Sequence, residues 1–173
     1  RGEHAVEVQL PFLQTVCPGA ELVPLLCGEI WPDDVADLAA ALLRAVPREG
    51  TLWVVSSDFT HYGEAFGYVP FTREVLTRVE QLDRGAIETI LRQDAGALRE
   101  YLRSTGATIC GAEAIGLLLE VLARAGEGLQ PRLLEYTQSG RLEHDETHSV
   151  GYAAIAFYGD TTMDQQNTSA GAI

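Results

Sequence analysis

Apolar positions along this chain fall into a helical rhythm in some stretches and into short continuous runs in others. Ala5, Val8, Phe12 and Val16 recur at helical spacing and predict a helix over residues 3–16, kinked by Pro11 and ended by Pro18-Gly19. Residues 21–27 (ELVPLLC) form a short apolar run that suits a buried strand. Trp31-Pro32-Asp33-Asp34 then opens a helix through Arg44, with acidic residues where the helix dipole favours them. Residues 51–57 (TLWVVSS) are β-rich and unbroken by charge, the pattern of a strand covered on both faces. A Gly- and aromatic-rich loop over 58–69 follows. Helical periodicity returns over about 72–92, 95–103 and 113–125, and residues 132–137 and 149–158 read as two strands. Strands alternating with helices predict an α/β domain, with a mostly parallel sheet flanked by helices, over residues 1–159. The polar stretch 160–173 reads as a disordered tail.

Composition removes several classes of function. Lys+Arg 12 against Asp+Glu 25 gives a net charge of −13, so phosphate backbones and anionic lipid repel the chain. Neither nucleic acid nor a membrane surface is expected as a partner. All the basic residues are arginine, which excludes Schiff-base chemistry and a lysine-dependent phosphate loop. No apolar run reaches the length of a membrane span, and the composition is that of a soluble globular chain. GxSxG, Walker and GxGxxG motifs are all missing, so neither an α/β-hydrolase nor a nucleotide-binding loop is supported. Cys17, Cys27 and Cys110 are odd in number and form no CxxC pair, which argues against a disulfide framework and a structural zinc site. Free thiols without a signal peptide predict a cytoplasmic setting.

Two segments could carry chemistry. Ser56-Ser57-Asp58-Phe59-Thr60-His61-Tyr62-Gly63 follows the most buried-looking strand, where α/β proteins gather their ligands. An Asp and a His three residues apart in such a loop can converge on one metal or one proton. The alternative is that Asp58 caps a turn and His61 lies at the surface. Ser104-Thr105-Gly106-Ala107-Thr108-Ile109-Cys110-Gly111 places a cysteine just before an apolar helix, where the dipole favours thiolate. The alternative there is a small buried apolar residue. His4, flanked by Glu3 and one turn from Glu7, could support a site from a helix face or face solvent. His144 and His148, in the acidic stretch RLEHDETHS, read as a solvated surface.

Together these segments resemble a known family. EHAVEVQLPFLQ at 3–14, SSDFTHYG at 56–63 and TICGAEAIGLLLE at 108–120 are similar, in that order, to the Memo family, whose bacterial and archaeal members are also known as AmmeMemoRadiSam system protein B. LEYTQSG at 134–140 and SVGYAAIAFY at 149–158 resemble its closing strands. The resemblance implies a fold shared with class III extradiol non-haem iron dioxygenases. It also implies an iron or copper site linked to redox chemistry. Carried onto this sequence, the implied metal ligands are Asp58, His61 and Cys110, with Asp58, His61 and His4 in catalytic roles. The family's N-terminal PHAGY and SHH segments, which supply two further histidines, have no counterpart here. With Arg1 rather than methionine at the start, the sequence reads as the C-terminal part of a Memo-type protein.

Two functions follow as expectations. One is a metal-dependent oxidoreductase acting on a small substrate. The other is a non-enzymatic adaptor that binds peptides, since a fold related to an enzyme does not guarantee its chemistry. A Cys110–His61 hydrolase is a weaker third, which would need an oxyanion hole beside the pair.

Overall fold

The computed structural model describes residues 4–126 and 128–159. Its elements are best built outward from one strand. Ser149–Tyr158 (β3) carries β-branched and aromatic residues and sits between two partners. On one side Gln130–Gln138 (β2) pairs with it antiparallel, from Gln130↔Tyr158 to Gln138↔Gly151, with an irregularity between Leu133 and Glu135. On the other side the two-residue strand His61–Tyr62 (β1) pairs antiparallel with Val150 and Ser149. The sheet order is therefore β1-β3-β2.

Among the described residues six α-helices accompany this sheet: α1 Leu10–Val16, α2 Pro32–Ala45, α3 Val75–Leu91, α4 Ala95–Thr105, α5 Ala112–Ala125 and α6 Ser139–Glu143. Helix α3 buries Val75, Val79, Asp83, Ala86, Ile87 and Ile90, a stripe at three- and four-residue spacing. Asp94 caps α4 by accepting the Ala97 N–H at 2.8 Å, and Gly106, at φ 68°, ends it in the left-handed conformation that glycine adopts without penalty. Ile87, Ile90, Leu98, Ile109, Ile115 and Leu119 meet in one core with Phe59. Burying each such side chain contributes about 1.5–3 kcal/mol. Phe59 anchors the loop that carries Asp58 and His61 in this core.

The structure corrects the expected elements in three places. Residues 5–9 form turns, and α1 starts only at Leu10. Pro11 lies in the first helical turn, where its missing N–H costs nothing, so it begins the helix instead of kinking it. Residues 21–27 and 51–57 join no ladder, and the strand pairings among the described residues are antiparallel. The expected mostly parallel sheet is not among them. What is present is an α/β arrangement of six helices and a small antiparallel sheet. The expected tail over 160–173 lies outside the described residues.

The unladdered segments remain strongly apolar at the surface. Leu22, Val23, Leu25, Leu26, Leu52 and Val54 are all exposed. An open groove of about 780 Å³ separates 51–55 from Ala153, Ile155 and Phe157 of β3, with Leu118 and Leu122 of α5 along its wall and Ser57 among its lining residues. No helix among the described residues is long and apolar enough to cross a membrane.

Candidate metal centre

Two loops build the site, one leaving the 51–57 segment and one leading into α5. Four contacts clasp them together. The Gly111 N–H donates to Ser57 Oγ at 2.9 Å, and the Asp58 N–H donates to Cys110 Sγ at 3.2 Å. The His61 N–H donates to Thr108 Oγ1 at 2.9 Å, and that hydroxyl donates back to the His61 carbonyl at 2.9 Å. The contact is close because residue 111 is glycine. A Cβ there would stand 2.5 Å from Ser57 Cβ and 3.1 Å from the Ser56 carbonyl oxygen. Ser56 Oγ also accepts a hydrogen bond from Gln9 Nε2 at 3.1 Å, which ties the segment before α1 to the site.

The clasp brings Asp58, His61 and Cys110 together. One donor atom from each, a carboxylate oxygen, an imidazole nitrogen and Sγ, all lie within 4.8 Å of one another. Asp58 and His61 are half-buried and Cys110 is exposed, so the cluster opens to solvent on the thiol side. His61 Nε2 stands 3.4 Å from Asp58 Oδ2. It is nevertheless a buried nitrogen without a hydrogen-bond partner. A buried polar atom left unpaired costs free energy, and a bound cation would satisfy it. Ligands at about 2.0–2.3 Å from one ion stand about 3.5 Å apart, so small side-chain rotations would close the cluster around a metal. Carboxylate, imidazole and thiolate are all metal-binding groups, and the residues present fit an ion.

His4 is exposed and is not one of the three residues in this cluster. Cys27 is partly buried, and burial together with the nearby Glu113 pushes its thiol pKa up, as expected for a packing residue. His148 departs from the solvated-surface reading. Its ring stacks on Phe66 at 5.1 Å, and Phe66 in turn lies 4.9 Å from the His61 ring. Gly63 allows this approach: its φ of 136° favours glycine, and a Cβ would meet the Thr147 carbonyl at 3.1 Å. The aromatic loop around Phe66 was visible in the sequence, but its pairing with a histidine 82 positions later was not. Ser57 and Thr108, which lock the two loops, were also not singled out. Their position beside Asp58 and Cys110 in the motifs was the available signal.

Comparison with known proteins agrees with this arrangement of motifs. The Memo-like protein family model matches residues 1–156, and the chain belongs to the Memo family. A MEMO1 family protein of Thermococcus onnurineus is 35% identical over 90% of this chain and 56% of its own length. Protein memo-1 homolog of Caenorhabditis elegans is 30% identical over 88% of this chain and 46% of its own length. Protein MEMO1 of Rattus norvegicus is 29% identical over 89% of this chain and 55% of its own length. The chain thus spans about half the length of the relatives it matches.

Proposed function

We propose that this chain supplies the carboxylate, imidazole and thiolate of an iron or copper site that acts on a small-molecule or peptide ligand in the cytoplasm. The convergence of Asp58, His61 and Cys110 donor atoms within 4.8 Å carries this reading, with His61 Nε2 left unpaired beside them. A thiolate donor favours copper(I) or iron over magnesium or calcium. When bound, such a metal supplies redox change and a coordination position for oxygen or substrate. The chain's own part is to hold the Cys110 sulfur at the open face and to keep the Asp58 carboxylate 3.4 Å from His61 Nε2, so that both can turn toward one ion. The dioxygenase-like fold and a catalytic role for His4 belong to this proposal through the family resemblance alone.

Elemental analysis provides the test. The wild-type protein retains iron or copper through gel filtration, whereas Cys110→Ser weakens retention at least tenfold, the scale of loss seen even for groups that only support metal ligands. Equal metal content in the two proteins would remove Cys110 from the ligand set. The apolar groove that reaches Ser57 favours a second reading, a peptide-binding adaptor in which metal serves stability. Chelation that lowers the melting temperature while leaving peptide binding intact, with no turnover to lose, would select that reading.

A further inference from the structure

We propose that Asp83 is a positioning residue for the Asp58–His61 arc, an inference that rests on the metal-site reading. Asp83 lies on α3, outside the cluster itself, and is fully buried at 0% exposure. A carboxyl so placed costs free energy unless its oxygens are engaged, and an apolar residue would serve the α3 stripe without that cost. Both oxygens have partners. Oδ1 accepts the Thr60 N–H at 3.0 Å, and Oδ2 accepts the Tyr136 hydroxyl at 2.7 Å.

Thr60 is the residue between the two donors, two after Asp58 and one before His61. Its backbone is held from both sides. The N–H goes to Asp83, and the carbonyl accepts the Gly151 N–H at 3.0 Å, while the Phe59 N–H donates to the Gly151 carbonyl at 2.8 Å. The socket is tight enough to require glycine at 151, since a Cβ there would overlap Asp83 Oδ2. Asp83, Tyr136 and Gly151 therefore set where the arc sits. Cys110 lies on the loop into α5, which meets the arc through the Asp58 N–H on its sulfur and the His61–Thr108 pair. A shift of Thr60 would strain these contacts and loosen all three donors at once. Burial pushes the Asp83 carboxyl pKa up despite the hydrogen bonds that favour its charged form, in keeping with a carboxyl held in place by the fold.

The experiment titrates the full chain and its variants with Co²⁺ alone, reading the thiolate–cobalt absorption band. Melting temperature and the peptide-resolved alkylation rate of Cys110 are measured in parallel, all at a temperature where each variant is folded. Asp83→Ala is expected to weaken Co²⁺ binding at least tenfold, the scale seen when groups supporting metal ligands are removed. It should also raise the Cys110 alkylation rate, because the Asp58 N–H no longer covers the sulfur. Asp83→Asn keeps an acceptor for the Thr60 N–H and is expected to restore both readouts close to wild type. A lower melting temperature with unchanged Co²⁺ affinity and unchanged Cys110 reactivity would overturn the assignment and leave Asp83 a stabilising residue only. If wild-type protein binds no Co²⁺, the metal-site reading fails by itself. The alkylation rate then still decides whether Asp83 sets the arc. Should Asp83→Ala not fold, Tyr136→Phe removes one of the two donors to Asp83. A raised Cys110 rate in that variant supports the proposal, and an unchanged one overturns it.

Discussion

At the scale of single residues, the site depends on small groups as well as on its candidate ligands. Gly111 lets the two loops touch, and a Gly111→Ala methyl would press against Ser57 Cβ and the Ser56 carbonyl. The expected cost is about 1–3 kcal/mol, as for other overpacked sites. Chemical denaturation would measure it, and a midpoint unchanged from wild type would mean that the loops part without strain. Asp58, His61 and Cys110 were singled out in the sequence by the motifs SSDFTHYG and TICG, their role as metal ligands came from the family resemblance, and the structure brings their donor atoms within 4.8 Å of one another. Asp83 was not read, although a signal was present. It follows Val75 and Val79 at four-residue spacing and precedes Ile87 at the same interval, so it is an acid inside an apolar stripe. His148 was hidden for another reason. It follows the acidic pair Asp145-Glu146, and the fold brings Phe66 to its ring.

At the scale of elements, helices were easier to read than strands. Helices α2 to α5 follow their apolar periodicity and carry their own end signals, such as the acidic first turn of α2 and the glycine that closes α4. The Asp94 cap gives a direct test. Asp94→Ala removes the acceptor for the Ala97 N–H and should cost about 1 kcal/mol, the usual value of an N-cap. A thermal melt would show this as a lowered midpoint, and a loss well under half that size would mean that water replaces the carboxylate. Strands lack such local signals. The patterns at 21–27 and 51–57 report a tendency to be buried, but a ladder needs a second segment, and the partner is not encoded in the strand itself. Among the described residues the long pairing is that of β2 and β3, successive strands separated by the short α6.

At the scale of the whole molecule, negative charge and exposed apolar surface are combined. A net charge of −13 keeps copies apart, while the groove and the bare faces of 21–27 and 51–55 favour contact. The strand β3 joins these regions to the site. Its first three residues hold the arc through Val150 and Gly151, and the rest of its length carries β2 and one wall of the groove. This shared strand has a consequence for amide hydrogen exchange. The amides of Phe59 and Gly151 point into bonds between the arc and β3, so they should exchange only when the core opens, whereas those of 51–55, outside any ladder, should exchange early. Mass-resolved exchange would reveal the contrast, and equal rates across both regions would mean that the arc is not held by β3. Where the contrast holds, the Gly151 amide serves as a gauge of whether the arc is seated on β3.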